Sequence, residues 1–124
     1  MARRRRSRAC SRRTRSVVTR RPQWAELWWA EFDQSTGRRP ALVLTRPEAV
    51  ERVPRLLVAP ATTRVRQLPS EVALDVDDGV PQPCVVNLDT PELVYPDVLV
   101  EYIATLSAPR WFDVCEAMSR AINC

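Results

Sequence analysis

The chain has 124 residues, and 45% of them are hydrophobic, which is enough for one modest core and too little for several domains. No apolar run approaches the roughly 20 residues that a membrane span requires, and no apolar segment follows the Arg-rich start, as it would in a secretory signal. We therefore expect one domain in the cytoplasm, with no membrane contact.

The residue types also limit the chemistry. The chain has four cysteines and no histidine, and no two cysteines form a C-x-x-C pair, so we expect no metal, no cofactor and free thiols in a reducing compartment. Without histidine, the usual acid–base pair of nucleases and hydrolases is absent. The only carboxylate cluster, at residues 75–78, has the composition of an exposed turn. Arginine, hydroxyl and carboxylate groups remain for chemistry.

Charge divides the chain in two. Ten of the 19 arginines precede residue 23, whereas all 15 acidic residues follow it, which leaves a net charge of −6 on the remainder. We expect residues 1–23 to form a disordered Arg-rich arm and residues 24–124 to form the folded domain. The arm is suited to binding nucleic acid through phosphates. A solubility tail, a start assigned too far upstream and a segment foreign to the natural protein are the alternatives.

The first half of the domain contains short strand-like segments in chain order. Ala25–Phe32 is aromatic-rich and predicts a strand, which turn residues separate from the apolar strand Ala41–Thr45. Residues 46–54 contain two prolines and predict a loop or a short helix. Arg55–Ala59 is the third strand, ended by Pro60.

The second half adds two more strands and a change of period. Glu71–Val76 alternates and predicts a strand with one wet face, and Cys84–Leu88 is the fifth strand. Val98–Leu106 fits either a strand or a helix. Ser107 then offers an N-cap, with Pro109 in the first turn. One apolar stripe follows at spacings of three and four: Trp111, Val114, Cys115, Met118, Ala121 and Ile122. These elements predict a small barrel or coiled sheet capped by a helix.

Two basic segments fall at the ends of neighbouring strands. Arg38 and Arg39 precede the second strand, and residues 62–66 (TTRVR) follow the third. If these strands pair, the two segments meet at one edge. An arginine fork binds phosphate oxygens bidentately, and Thr62 adds a neutral donor that stabilises developing phosphorane charge. Surface arginines and turn threonines are the alternative.

Five ordered blocks carry a family resemblance: Glu26–Asp33, Gly37–Thr45, Val58–Arg64, Leu68–Val72 and Cys84–Asp89. Their residues and spacing resemble the MazF/PemK toxins of type II toxin–antitoxin systems, and the helix to Cys124 is similar to actinobacterial MazF-like members. The resemblance implies a mainly β fold with a C-terminal helix, an SH3-like β-barrel of the CcdB/PemK-like plasmid toxin type. It also implies a homodimer.

The resemblance further implies an activity. Members cleave single-stranded RNA at short sequences without metal, leaving a 2′,3′-cyclic phosphate and a 5′-OH. A cognate antitoxin covers the RNA groove with its acidic C-terminal segment and provides the only link to DNA. Carried over by residue, the catalytic arginine is Arg39 and the catalytic threonine is Thr62. Arg38, Thr63, Arg64 and Arg66 are then expected to bind RNA.

The general base is left open by departures from the family pattern. The loop between the first two strands is short and lacks the segment that carries a proposed base in some members. Glu71 and Asp89 are the candidates, with structural carboxylates as the alternative. Trp29 either stacks on a base or belongs to the core. A degenerate or gyrase-directed CcdB-like binding toxin of the same fold is the alternative function.

Overall fold

The computed structural model describes residues 20–32 and 37–124. This part of the chain forms seven strands and two α-helices. In chain order they are β1 (Glu26–Glu31), β2 (Arg38–Val43), α1 (Pro47–Val50), β3 (Leu56–Thr62), β4 (Glu71–Leu74), β5 (Cys84–Asn87), β6 (Glu92–Val94), β7 (Leu99–Thr105) and α2 (Ala108–Ala121).

The strands form one antiparallel sheet. Their order is β4-β5-β3-β2-β1-β7, and β6 pairs with the first half of β3. β3 has three neighbours in the sheet, because it pairs with β2, β5 and β6 along different parts of its length. Within the described residues no ladder joins β4 to β7, so the barrel is not closed by hydrogen bonds.

Two prolines mark the point where β3 leaves β2. The β2–β3 ladder runs from Val43 opposite Val58 to Ala41 opposite Pro60, and β3 then pairs with β5 through Ala61 and Thr62. Proline has no N–H to donate to a ladder. Pro60 is one of the two prolines, and the other is Pro40, the β2 residue next to Ala41. The two strands therefore separate here, which leaves a cleft between the start of β2 and the end of β3.

The apolar residues divide into two clusters on opposite faces of the central strands. Leu27, Leu42 and Ala59 belong to the cluster under α2, whereas their strand neighbours Trp28 and Val58 belong to the other. This alternation follows from the two-residue period of a strand. Strands buried on both faces explain the continuous apolar runs in the sequence.

Helix α2 is fixed at its start by polar contacts. The Ser107 hydroxyl accepts a hydrogen bond from the Arg110 N–H at 3.4 Å, as an N-cap does. The Arg110 Nε donates to Asp78 Oδ1 at 2.9 Å, which ties the helix to the turn after β4. Val114 and Ala117 are buried against the sheet. No helix in the described part of the chain is long and apolar enough to cross a membrane.

The segment before β1 is tied to the domain by charged groups. Glu26 is only 5% exposed, and its carboxylate accepts hydrogen bonds from Arg20, the Gln23 N–H and the Trp28 indole. Arg21 donates to the carbonyl oxygens of Val50 and residue 53 at 2.8 and 3.0 Å. The last four residues of the predicted arm are thus in contact with the domain, and residues 1–19 lie outside the described part.

The observed strands correct several predicted boundaries. β2 begins at Arg38 because Arg38–Pro40 pairs with β1, and β3 continues through Pro60 to Thr62 because β5 supplies a new partner. Val98–Leu106 is resolved as a strand, paired along β1. The prediction of five strands missed β6, whose three residues pair with β3 but show no clear alternation. The mainly β class with a C-terminal helix is confirmed.

Candidate active site

The cleft between β2 and β3 brings the two predicted catalytic side chains together. If the β2–β3 register continued for two more residues, Arg39 would lie opposite Thr62. Because β3 turns to β5 instead, both side chains line open space and are half-buried. No carboxylate among residues 20–32 and 37–124 lies within ion-pair distance of Arg39. Within that part of the chain, the positive charge of its guanidinium is not paired.

Two pockets meet at this pair of residues. We name them the tryptophan pocket, of about 330 Å³, and the asparagine pocket, of about 290 Å³. The tryptophan pocket is lined by Trp29, Arg38, Arg39, Pro40, Ala61, Thr62, Thr63, Pro81, Gln82 and Cys84. The asparagine pocket is lined by Arg39, Pro60, Ala61, Thr62, Arg64, Arg66, Asn87 and Thr90. Arg39, Ala61 and Thr62 belong to both and form the boundary between them.

The predicted catalytic arginine and threonine and the four residues predicted for RNA contact all line these pockets. Arg38 and Thr63 lie on the tryptophan side, and Arg64 and Arg66 lie on the asparagine side. Each pocket thus has at least one arginine beside the shared boundary. This arrangement places positive charge along the cleft of a domain whose net charge is negative.

Arg38 is engaged with its neighbours. Its Nη2 donates to Glu101 Oε1 at 2.8 Å, its Nε lies 3.7 Å from Glu31, and its guanidinium lies over the Trp29 ring at 5.5 Å. Trp29 is opposite both Pro40 and Glu101 in the sheet. Trp29 is half-buried and contributes to the pocket wall rather than to either apolar cluster.

The Thr62 hydroxyl keeps a proton to donate. Its oxygen accepts a hydrogen bond from the Arg64 N–H at 3.1 Å, a local turn contact that threonine often makes. A hydroxyl can accept and donate at the same time. The turn contact therefore fixes the oxygen at the pocket boundary and leaves the O–H for a bound oxygen atom.

The two candidate bases lie outside both pockets. The Glu71 carboxylate accepts hydrogen bonds from the backbone N–H groups of Arg66 and Leu68 at 3.2 and 3.4 Å. The Asp89 carboxylate accepts one from the Ser70 hydroxyl. Each carboxylate thus holds the loop before β4 in place, and the structure does not bring either one to Arg39 and Thr62.

Cys84 forms an uncharged part of the tryptophan pocket. Burial raises the pKa of this thiol, and the negative charge of Asp78 raises it further. The thiol is therefore protonated at neutral pH and contributes an apolar surface. The described residues contain no group of three or more His, Cys, Asp or Glu side chains arranged to hold a metal ion.

Two pocket residues were not singled out by the sequence. Asn87 is only 8% exposed, and an amide in the otherwise apolar strand Cys84–Asn87 is the sequence signal that could have identified it. Gln82 lies between two prolines in a loop, and nothing in its sequence surroundings marks it. Both carry amide groups that suit base edges.

The chain is thus a mainly β domain, an antiparallel sheet with a C-terminal helix and a cleft lined by arginines. The chain matches the family of PemK-like, MazF-like toxins of type II toxin–antitoxin systems over residues 24–122. It belongs to that family, and the fold and the family predicted from the sequence are confirmed.

Relatives of known name support this membership. The chain is 42% identical over 108 residues to the probable endoribonuclease MazF5 of Mycobacterium tuberculosis, covering 86% of this chain and 98% of the relative. Among solved structures, the M. tuberculosis toxin MazF-mt6 is similar with a TM-score of 0.72 and 32% identity, over 79% of this chain and 96% of that one. A MazE–MazF structure from Deinococcus radiodurans has a TM-score of 0.70 and 27% identity, over 86% and 100%.

Proposed function

We propose that this chain is the toxin of a type II toxin–antitoxin system and a metal-independent endoribonuclease that cleaves single-stranded RNA at short sequences. The observation that supports this most directly is the pair of pockets joined at Arg39 and Thr62. A phosphodiester bound at the boundary would have one nucleoside directed into each pocket. Relatives at 42% and 34% identity are named as probable endoribonucleases.

Arg39 holds the scissile phosphate in this proposal. Its guanidinium presents a planar fork of donors to two phosphate oxygens, and the Thr62 hydroxyl donates to the same group. As the 2′-oxygen attacks, negative charge grows on the oxygens of the phosphorane. Donors that are fixed before the reaction stabilise this charge by about 3 to 4 kcal/mol each.

The reaction exchanges one P–O bond for another. The 2′-OH gives its proton to solvent water and its oxygen bonds to phosphorus, while the bond to the 5′-oxygen breaks and that oxygen takes a proton from water. The products are a 2′,3′-cyclic phosphate and a 5′-OH. Glu71 and Asp89 bind the loop before β4, which favours a structural role for both carboxylates. Neither is therefore proposed as the general base.

The proposal includes the partners expected of the family. The family is one of toxins of type II toxin–antitoxin systems, and one solved structure of similar fold is a mycobacterial endoribonuclease in complex with its cognate antitoxin. The arginine-lined cleft is suited to an acidic segment of such a partner. We propose that this chain acts in the cytoplasm as a homodimer, that an antitoxin covers the cleft, and that DNA is contacted only through the antitoxin.

Cleavage of a single-stranded RNA in the presence of EDTA tests the activity. The protein is expected to produce fragments with 5′-OH ends, and Arg39→Ala is expected to reduce kcat at least about 100-fold. Arg52→Ala is the matched control, because Arg52 is exposed and lies outside both pockets. Equal cleavage by Arg39→Ala and the parent would remove Arg39 from the mechanism.

Thr62→Val tests the second donor with little change in shape. We expect a loss in kcat of about 100- to 1,000-fold, the size of one removed donor, and Thr105→Val at the exposed end of β7 is the control. Expression in bacteria distinguishes the three possible functions of the chain. Growth arrest accompanied by RNA fragments supports the nuclease. Growth arrest with DNA damage indicates the gyrase-directed toxin, and no arrest indicates a degenerate one.

A further inference from the structure

We infer that Asn87 reads one base of the RNA substrate, and that it selects a base presenting a carbonyl oxygen in the asparagine pocket over one presenting an amino group there. This inference rests on the proposed function and adds a specificity-determining residue to it. Asn87 is the last residue of β5 and lines the pocket beside Arg39 and Thr62.

The hydrogen bonds of Asn87 determine which way its amide points. The Asp89 N–H donates to Asn87 Oδ1 at 2.8 Å. A backbone N–H cannot accept, so the oxygen must face Asp89 and the NH₂ group must take the opposite position. Among the described residues, that NH₂ group donates no hydrogen bond. The oxygen is thus engaged by Asp89, and the NH₂ group is the part of this side chain that has no partner and is left for a ligand in the pocket.

The amide is held rigidly. Asn87 is only 8% exposed. The N–H that orients its amide belongs to Asp89, and the carboxylate of Asp89 accepts a hydrogen bond from the Ser70 hydroxyl. The Leu88 N–H also donates to the Ser70 carbonyl at 3.0 Å, which fixes the backbone between the two residues. A donor fixed before binding loses little entropy when it is used.

A buried donor without a partner has an energetic consequence. Leaving such a group unsatisfied costs free energy of the size of a lost hydrogen bond, so a substrate that brings an acceptor is favoured over one that brings another donor. Single-stranded bases are read on their exposed edges in pockets of this kind. Uracil carries a carbonyl oxygen at the position where cytosine carries an amino group. We therefore expect uridine to be preferred over cytidine in this pocket.

Asn87→Asp is the decisive variant. The aspartate keeps an oxygen for the Asp89 N–H and has nearly the same shape, but it replaces the donor by an acceptor. Its charge repels every RNA alike, so the ratio of affinities for two RNAs that differ in one base is free of that effect. We expect the uridine-over-cytidine ratio at one position beside the cut to fall about tenfold and cytidine to gain relative to uridine.

Binding and cleavage are measured separately so that the two proposals are tested apart. Affinity is determined with single-stranded oligonucleotides that carry a 2′-deoxy nucleotide at the cut and uridine or cytidine on either side of it. Cleavage is determined with the all-ribose versions. Base preference in binding that depends on Asn87, without any cleavage, would support this inference and overturn the proposed nuclease.

Gln82→Leu is the matched control, since it removes an amide from the tryptophan pocket. It is expected to leave the preference assigned to Asn87 unchanged. Asn87→Ala, checked for folding by thermal unfolding, provides a second variant that loses the donor without adding charge, and its ratio should also fall. An unchanged ratio in both folded variants, or no binding of any of these oligonucleotides by the parent, would overturn the inference.

Discussion

The Nη2 atom of Arg38 lies 2.8 Å from Oε1 of Glu101, and this contact joins the start of β2 to β7 across the intervening strand β1. The two side chains are 44% and 63% exposed, and ion pairs at such surfaces contribute about 0 to 1 kcal/mol to stability. The pair is therefore more important for charge at the tryptophan pocket than for the fold. Glu101 neutralises an arginine that the sequence predicted for RNA binding.

Replacing Glu101 by Gln is expected to raise the affinity for single-stranded RNA. Removal of one negative charge beside the pocket frees Arg38 for a phosphate, which we expect to increase affinity about two- to fivefold at low salt and little at high salt. Glu116→Gln is the control, because Glu116 is an exposed acid on α2 away from both pockets. Anisotropy titrations at several salt concentrations measure the effect, and equal affinity of the two variants would contradict it.

The ion pair between Asp78 and Arg110 gives the stability a dependence on pH. Burial acts to raise the pKa of Asp78, but the hydrogen bond and charge of Arg110 and the backbone N–H of Asp75 lower it below its ordinary 3.8. A carboxyl whose pKa is lowered by folding stabilises the protein above the unfolded pKa. That contribution is lost as the pH falls through the folded value.

Asp78→Asn should therefore reduce the free energy of unfolding by about 1 to 3 kcal/mol at neutral pH. The difference from the parent should shrink as the pH falls below about 4, where the parent loses its own carboxylate. Asp113→Asn removes the more exposed, 3.5 Å contact of Arg110 and should cost less than about 0.5 kcal/mol. Urea unfolding across this pH range makes the measurement, and a difference that is constant with pH would be inconsistent with the ion pair.

The sequence predicted the cleft well because local signals and strand adjacency were both strong. Arg39 and Thr62 flank apolar segments that could only be strands, and neighbouring antiparallel strands bring such ends together. The exact opening could not be predicted, because it depends on β3 leaving β2 for β5 after Pro60. That exchange of partners involves residues far apart in the chain and has no local signature.

Three further features could not be predicted from the sequence, because tertiary contacts determine them. β6 has two exposed residues out of three, so its hydrophobic pattern is too short to indicate a strand, and its pairing with β3 forms it. The orientation of Asn87 depends on a backbone N–H two residues away. The contacts of Arg20 and Arg21 with the domain were hidden in a basic run whose composition indicated only a solvated arm.

Deletion of residues 2–19 tests the Arg-rich arm without disturbing these contacts. The deleted segment contains eight arginines and no acidic residue, so RNA affinity should fall and should depend less on salt, while the cut site stays unchanged. Deletion of residues 2–22 should in addition lower stability, because Glu26 would lose Arg20 as a partner. Equal affinity of the shorter deletion and the parent at low salt would show that the arm takes no part in binding.

The turn after β4 provides a test of the geometry that supports the tryptophan pocket. Gly79 has a φ of +100°, and a Cβ built on it would lie 2.5 Å from the Cβ of Ala104 on β7. Gly79→Ala therefore combines an unfavourable backbone conformation with a clash in a packed region. We expect it to lower the free energy of unfolding by about 2 to 4 kcal/mol.

Gly37→Ala separates the two causes. Gly37 also has a positive φ, of +71°, but nothing lies within 4 Å of a Cβ built there, so its substitution should cost only about 1 kcal/mol. Combining Gly79→Ala with Ala104→Gly removes the clash and keeps the backbone strain, so the double variant should lose less stability than the sum of the two single changes. Strict additivity in urea unfolding would show that the turn moves away from β7 and that the clash is relieved without cost.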